Sequence, residues 1–192
     1  MRHIIIGDVH GMLPELAALI EAADPREDDQ VIFVGDLVDK GPESAGVVRF
    51  VRELAQRQDV VLVEGNHEDK HRRFRRNIEV RPEVAAGMVE RQPELATITD
   101  ALSAEDVAFM DAAVPFHRIH EHGVLVVHGG IPGDMADFPA TVEEAQTLGG
   151  KRKKKFANIC RTRFVSADSG KMLQLGANGP EDPFWADVYD CR

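Results

Sequence analysis

The stretch Ile4-Ile5-Ile6-Gly7-Asp8-Val9-His10-Gly11 joins an apolar run to a glycine and then to carboxylate and imidazole side chains. Similar stretches, with an apolar run followed by glycine and polar residues, occur at residues 31–36, 60–67 and 124–130. Unbroken runs of this length, rich in β-branched residues, are typical of strands that are buried on both faces. We therefore predict four such strands, each followed by polar residues.

The segments between the first three predicted strands have helical periodicity. Apolar residues recur on one helical face over residues 13–23, where Asp24-Pro25 ends the pattern, and again over residues 47–55. Alternating strands and helices indicate βαβ units, whose strands are usually parallel. The chain is therefore predicted to be an α/β protein.

The rest of the chain changes character twice. Residues 69–113 are helix-prone and are interpreted as helices inserted beside the sheet, whereas residues 116–127 have the spacing of a β-hairpin. Residues 131–158 are interpreted mostly as loop. The length of 192 residues predicts a single domain, residues 1–192, with the helical insert at about 69–113.

Composition and charge exclude several classes of protein. The chain is 43% hydrophobic and 29% charged with a net charge of −10, unlike a general binder of nucleic acid or of anionic membranes. No apolar run approaches the roughly 20 residues that span a bilayer, and the N-terminus enters a strand directly, without room for a signal peptide. Cys160 and Cys191 fit neither a metal knuckle nor a disulfide framework. We expect a cytoplasmic protein. Basic clusters at residues 70–76 and 151–155 are interpreted first as solvated charge, and secondly as a means of steering anionic substrates.

Polar side chains that could bind a metal follow each of the four predicted strands. In an open α/β sheet the ligand site lies beyond the carboxyl ends of the strands, so parallel strands are expected to bring these groups to one edge. They are Asp8 and His10 after the first strand, Asp36 and Asp39 after the second, Asn66 and His67 after the third, and His128 after the fourth.

This set of side chains offers carboxylate, amide and imidazole ligands without a thiolate, which suits Mn²⁺, Fe or Zn²⁺. There are more of them than one tetrahedral site uses, and a carboxylate can bridge two ions. Two ions about 3.5–4 Å apart hold a phosphoryl group and activate the attacking water. The sequence therefore predicts two divalent metal ions, with manganese as the first choice and iron or zinc as alternatives.

Four segments carry a resemblance to a known family: residues 7–11 (GDVHG), 35–42 (GDLVDKGP), 65–68 (GNHE) and 128–130 (HGG). Together they resemble the signature of calcineurin-like metallophosphoesterases. More narrowly, they resemble the phosphoprotein phosphatase (serine/threonine phosphatase) branch, including its small bacterial and phage members. The resemblance implies a β-sandwich of two mixed sheets flanked by helices and built from βαβ units. It also implies hydrolysis of phosphomonoesters by direct attack of a metal-bridging water.

The resemblance assigns the metal ligands position by position. Asp8, His10 and Asp36 would hold the first metal ion. Asp36, Asn66 and His128 would hold the second, so that Asp36 bridges the two. The family usually completes the second site with a further histidine, and this chain has no histidine after His128. We expect either that the C-terminal end of the family fold is missing or that another group takes the position, and in both cases weak binding of the second ion.

The resemblance also assigns the groups that act on the substrate. His67 would be the general acid that protonates the leaving oxygen, and Asp39 would orient and support its imidazole. Lys40 stands where the family usually has a phosphate-binding arginine; lysine keeps the charge without the bidentate geometry. Arg161 is predicted as a second phosphate ligand, with Arg163 as the alternative. Glu68 is expected to orient its loop and is given no chemical role.

Three hypotheses for function remain open at the level of the sequence. The first is a serine/threonine protein phosphatase, as in the branch that the motifs resemble. The second is a dinucleoside polyphosphate hydrolase, or a phosphatase of nucleotides or RNA ends. The third, from another class, is a catalytically weak metal- or phosphate-binding module, suggested by Lys40 and by the missing histidine. The expected partner is a phosphorylated protein or a nucleotide, without membrane or general nucleic-acid binding, and the sequence indicates no oligomeric state.

Overall fold

A computed structural model describes residues 1–135 and 137–189, and the chain forms two compact units, Met1–Val114 and Pro115–Arg192. The expectation of a single domain over residues 1–192 stays a prediction. Cys160 is buried in the second unit, whereas Cys191 lies outside the described residues. Within the part of the chain that is described, no helix has both the length and the apolar composition that crossing a bilayer requires.

The first unit is built on three strands, β1 (His3–Ile6), β2 (Gln30–Phe33) and β3 (Asp59–Leu62). They form a parallel sheet with the order β1-β2-β3. Ile6 pairs with Phe33 and Phe33 pairs with Leu62, so the three strands end level with one another. The predicted βαβαβ arrangement is confirmed, and the carboxyl ends of its strands meet at one edge.

Two helices connect these strands, α1 (Leu13–Ala23) and α2 (Ser44–Leu54). Asp24 ends α1 in a left-handed conformation with a φ of 43°, as the predicted stop at this position requires. The face of α2 that carries Val48 and Val51 is buried in the core of the unit. Both helices match the predicted segments closely.

The central strand is covered on both faces, but the outer strands are not. Ile32 on β2 is fully buried, whereas Ile5, its neighbour on β1 and on the same face of the sheet, is 50% exposed. Asp59 at the start of β3 is also exposed. The prediction of a strand buried on both faces is therefore wrong at Ile5 of β1, whereas the third predicted run, which begins after Asp59, contains only buried and half-buried residues.

Four helices follow β3: α3 (Asn66–Val80), α4 (Pro82–Arg91), α5 (Glu94–Ala101) and α6 (Ala104–Asp111). They confirm the predicted helical insert, although the first helix begins earlier than residue 69. Phe74, Ala85 and Leu95 join α3, α4 and α5 in a small core of their own. Asn66 and His67 consequently lie in the first turn of a 15-residue helix rather than in a loop.

The second unit begins with the strands β4 (His117–Ile119) and β5 (Val124–Val126), which form the predicted hairpin. Gly123 makes the turn between them with a φ of 62°. Among the described residues β5 pairs only with β4, in an antiparallel sheet, as the predicted hairpin requires. So short a turn can only return the chain antiparallel.

Residues 131–158 contain two helices, α7 (Val142–Thr147) and α8 (Gly150–Phe156), so the prediction of mostly loop holds for residues 131–135 and 137–141 and is wrong for these two helices. The lysine and arginine run forms α8, because these residues have high helix propensity and because Phe156 at its end packs against Phe116 and Phe138. A short helix, α9 (Trp185–Val188), follows near the end of the described residues.

Candidate active site

Backbone hydrogen bonds join the loops that follow β1 and β2. The amides of Val9 and His10 donate to the Asp36 carbonyl at 3.1 and 2.9 Å, and the Gly11 amide donates to the Leu37 carbonyl at 2.8 Å. These bonds hold the backbone of His10 against that of Asp36. Two of the predicted ligand-bearing stretches therefore form one continuous surface.

Four non-glycine residues of these loops have a left-handed backbone: His10 (φ 49°), Asp36 (φ 53°), Asp39 (φ 69°) and Lys40 (φ 65°). Such a conformation costs about 1–3 kcal/mol per residue and persists only where the surrounding structure enforces it. All four are residues that the sequence predicts for the site. The strain is thus concentrated where the chemistry is expected.

Glycines allow the loops after β2 and β3 to approach each other. Gly35 has a φ of 92°, and a Cβ atom placed on it would lie 2.5 Å from the backbone nitrogen of Gly65. A side chain at Gly35 would therefore force the two loops apart. This close approach brings Asp36 to the first turn of α3.

Glu68 fastens the loop after β2 to the start of α3. Its buried carboxylate accepts hydrogen bonds from the amides of Asp36 (2.7 Å), Leu37 (2.8 Å) and Gly65 (3.0 Å). Burial, together with the neighbouring Asp36 carboxylate, raises the pKa of Glu68 to about 7, although the amide hydrogen bonds favour its ionised form. These contacts confirm that Glu68 orients its loop.

The carboxylate of Asp36 lies between two imidazoles. Its Oδ1 accepts a hydrogen bond from the His67 amide at 3.0 Å, and its Oδ2 lies 3.6 Å from His10 Nε2 and 3.7 Å from His67 Nε2. One ligand atom from each of these three side chains lies within 4.8 Å of the others. Such a group of atoms can surround a divalent ion.

The orientation of His10 suits a metal ligand. Its Nδ1 lies 2.9 Å from the Val38 carbonyl and donates to it, so that Nε2 carries the lone pair. Asp8 Oδ2 lies 3.6 Å from the same Nε2. Asp8, His10 and Asp36 therefore fit a divalent ion, and their oxygen and nitrogen donors suit manganese, iron or zinc.

Lys40 contacts the same imidazole. Its Nζ lies 2.7 Å from His10 Nε2 and donates to the lone pair that would bind an ion. An ion bound to His10 would compete for this lone pair and repel the ammonium group. Because Lys40 is exposed and its side chain is long, it can turn toward a phosphate bound at the site. Its phosphate-binding role stays a prediction.

Asp39 is buried beside His67 and accepts hydrogen bonds from three side chains. Its Oδ2 lies 2.5 Å from both His67 Nδ1 and Lys70 Nζ, and its Oδ1 lies 2.9 Å from His71 Nε2. The bond to Nδ1 directs the other ring nitrogen of His67 toward Asp36. This is the arrangement expected of a general acid that is oriented by a carboxylate, and the assignment of these roles stays a prediction.

The charge of Asp39 is strongly stabilised. Burial alone would raise the pKa of this carboxyl, but the hydrogen bonds from His67, His71 and Lys70 outweigh burial and hold the pKa well below its ordinary value of 3.8. Asp39 is therefore ionised at neutral pH. Its negative charge can support the positive charge of an imidazole that is about to donate a proton.

Sequence reasoning missed two residues of this cluster, Lys70 and His71. They follow His67 by three and four residues on α3, so all three side chains share one face of the helix. Lys70 Nζ also donates to Gln92 Oε1 at the end of α4, at 2.8 Å. A helix predicted from Asn66 onward would have revealed this shared face, but the interpreted insert begins only at residue 69.

Three predicted residues belong to the second unit. His128 follows β5 and is buried, with Arg163 Nη2 at 3.4 Å from its Nε2. Arg161 Nη1 donates to Cys160 Sγ at 3.2 Å. The expected metal role of His128 and the phosphate role of Arg161 or Arg163 stay predictions, as does the metal role of Asn66 at the start of α3.

The family model for calcineurin-like phosphoesterases matches residues 1–187. The chain belongs to this family. The match extends through residues of both compact units and confirms the resemblance that the four short segments indicate.

Two relatives are bis(5'-nucleosyl)-tetraphosphatases. The chain is 31% identical to the asymmetrical enzyme PrpE of Bacillus velezensis over 163 residues. This alignment covers 78% of the chain and 65% of that protein. The chain is 32% identical to the symmetrical enzyme of Aliivibrio fischeri over 152 residues. This alignment covers 77% of the chain and 51% of that protein. The chain thus spans less than two thirds of the length of these relatives.

Solved structures share the fold. A candidate diadenosine tetraphosphatase aligns with a TM-score of 0.66 at 22% identity, over 98% of this chain and 70% of its own. A serine/threonine phosphatase from Saccharomyces cerevisiae aligns with a TM-score of 0.55 at 18% identity, over 97% of this chain and 55% of its own. These likenesses concern the fold, and they confirm the predicted α/β metallophosphoesterase class.

The contacts of Glu68 predict a large effect of a small substitution. Glu68→Gln keeps the size of the side chain but turns an NH₂ group toward backbone N–H donors, leaving at least one of them without an acceptor. We expect the free energy of unfolding to fall by roughly 1–3 kcal/mol, measured by urea denaturation. The exposed Glu79→Gln on the same helix is the matched control and should change stability by less than about 0.5 kcal/mol. Equal stability of the two variants would contradict this role of Glu68.

The lowered pKa of Asp39 predicts how stability depends on acidity. A carboxyl whose pKa is lower in the folded than in the unfolded chain stabilises the fold above its unfolded pKa, and this contribution is lost as the pH falls toward the folded pKa. We expect the difference in unfolding free energy between the wild type and Asp39→Asn to shrink as the pH falls below about 4. Denaturation at a series of acidic pH values measures it. A difference that grows on acidification would be inconsistent with the hydrogen bonds described.

Proposed function

We propose that this chain is a metal-dependent phosphoesterase that hydrolyses dinucleoside polyphosphates. The proposal takes the second of the three sequence hypotheses in place of the first, a serine/threonine protein phosphatase. Both named relatives at or above 30% identity are tetraphosphatases, whereas the serine/threonine phosphatase is similar at the level of the fold.

The observation that carries the proposed reaction is the buried Asp36 carboxylate between the imidazoles of His10 and His67. Asp8, His10 and Asp36 would hold a divalent ion at this point. When bound, such ions polarise a phosphoryl group and lower the pKa of the attacking water. Burying a carboxylate without a counterion costs free energy, and the ligand atoms around Asp36 suit a cation.

The residues of the chain itself supply the remaining steps. His67 would donate a proton from Nε2 to the leaving oxygen, while Asp39 holds the Nδ1 proton and balances the imidazolium charge. Lys40 would neutralise an oxygen of the phosphate. Together these groups would stabilise the charge on the departing oxygen of the leaving nucleotide.

A substrate panel tests the proposed function. At equal concentration and with added Mn²⁺, we expect diadenosine tetraphosphate to be hydrolysed with the highest kcat/KM, ahead of a phosphoserine peptide and of a 2′,3′-cyclic nucleotide. His67→Ala should lower kcat by about 10²–10⁴ through loss of proton donation. The loss should be largest for the phosphoserine peptide, whose alkoxide leaving group is strongly basic, and smaller for diadenosine tetraphosphate and p-nitrophenyl phosphate, whose leaving oxygens need little protonation.

The panel also separates the alternatives. A preference for the phosphopeptide would restore the protein phosphatase hypothesis. Absence of hydrolysis of every substrate, with metal bound, would favour the metal- or phosphate-binding module. Arg57→Gln on the exposed end of the first unit serves as the control, since its side chain lies outside the site.

Metal content tests the proposed ligands. After dialysis against Mn²⁺, we expect one firmly bound ion and a second of lower occupancy, because the proposed second site has the neutral amide of Asn66 where the first has the carboxylate of Asp8. Asp36→Asn should lose both, as the proposed bridging ligand, whereas His128→Ala should lose only the weaker one. Elemental analysis with titration of the metal measures both. Full occupancy of two ions, each with micromolar affinity or better, would refute the weak second site.

A further inference from the structure

A groove runs along α3 and α4, outside the residues assigned to the reaction. Near the site it forms a cavity of about 370 Å³ whose lining includes Lys70, Arg73, Arg91 and Met88. Farther along α3 it continues as a cavity of about 240 Å³ that shares Arg73 with the first. Both cavities of this groove lie within the first unit, and together they are large enough for a nucleotide.

All the charged side chains that line the groove are positive. Its lining carries five basic side chains and no acidic one: Lys70, Arg73, Arg76, Arg81 and Arg91. Arg73 pairs with Asp69, while Arg76, Arg81 and Arg91 form no ion pair among the described residues. In a chain with a net charge of −10, such a concentration of cations favours an anionic ligand at this place.

The groove also has apolar surface. Val80 and Val84 line its far part and are 57% and 39% exposed, and Met88 and Leu95 line its near part. Exposed apolar side chains among arginines suit an aromatic base, which can pack on the apolar surface and stack on a guanidinium group. A ligand with both phosphates and a base fits this combination better than inorganic phosphate alone.

The near end of the groove adjoins the expected general acid. Lys70 lines the groove, and its Nζ lies 3.2 Å from His67 Nδ1 and 2.5 Å from Asp39 Oδ2. Lys70, Arg73 and Asn77 follow His67 along α3 at helical spacing, so the groove continues from the side of the site where His67 stands. In an in-line displacement the leaving group departs on the side of its proton donor.

We propose that this groove binds the leaving nucleotide of the substrate. Its phosphates would contact Lys70, Arg73 and Arg91, and its nucleoside would lie over Val84 and toward Arg81. The inference rests on the proposed function, because it takes the leaving group to be a nucleotide rather than a simple alcohol. It adds the residues that select such a leaving group.

The test compares two double variants that remove the same charge. Arg73→Gln/Arg91→Gln alters the groove, and Arg26→Gln/Arg57→Gln alters two exposed arginines elsewhere in the first unit. We expect the groove variant to raise the KM for diadenosine tetraphosphate by about 10-fold or more, as the loss of charged hydrogen bonds implies. The kcat/KM for p-nitrophenyl phosphate, which has no nucleotide to place there, should stay within about 2-fold in both variants.

Two further measurements do not depend on turnover of a dinucleotide. The inhibition constant of ADP against p-nitrophenyl phosphate should rise about 10-fold in the groove variant, whereas that of inorganic phosphate should not change. A photoreactive 8-azido-ADP should label residues 70–95 in the wild type, and the groove variant should lose this labelling. Equal unfolding midpoints of all variants establish that the fold is intact.

The outcomes separate this inference from the proposed function. If the wild type hydrolyses diadenosine tetraphosphate and the groove variant equals its control, the groove proposal is overturned and the proposed function stands. If the wild type does not hydrolyse it, the proposed function fails, and the ADP inhibition and labelling decide the groove alone. A groove variant that loses hydrolysis of a phosphopeptide but keeps ADP binding would assign the groove to a protein substrate and overturn the nucleotide assignment.

Discussion

The site depends on two buried carboxylates, each of which accepts backbone hydrogen bonds from the chain segment that carries the other. Glu68, on α3, accepts the amides of Asp36 and Leu37, and Asp36, after β2, accepts the amide of His67. Glu68 thus accepts hydrogen bonds from the loop after β2, and Asp36 in that loop accepts one from the first turn of α3. In a low-dielectric interior neither carboxylate can be left without partners, so the two chain segments are held in one position. The left-handed backbone at Asp36 persists because of this bracing.

The helix α3 connects the chemistry to the recognition of substrate. Its first turns carry His67, Lys70 and His71 around the Asp39 carboxylate, and its following turns line the basic groove. A helix fixes the spacing of its side chains, so a ligand bound in the groove would be held in register with His67, the proposed proton donor. Lys70 belongs to both parts, since it contacts Asp39 on one side and Gln92 of α4 on the other.

The fold accounts for the class of reaction and leaves the substrate to local features. Proteins with different substrates share this architecture at low identity, so the fold alone does not select the substrate. The helices α3 and α4 place five cations beside that edge in an otherwise acidic chain. Discrimination among phosphate compounds would then come from the groove and not from the metal ligands.

The sequence by itself determined the strands β1 to β3, the helices α1 and α2, and the residue types of the candidate metal site, because periodicity and short motifs are local properties of the chain. It did not determine that the basic run at 151–155 is helical, since the packing of Phe156 decides this. Only the tertiary structure joined Asp39 to His71, which lie 32 residues apart. No local pattern encodes such a contact, because it arises only when separate segments are brought together by the burial of their shared core.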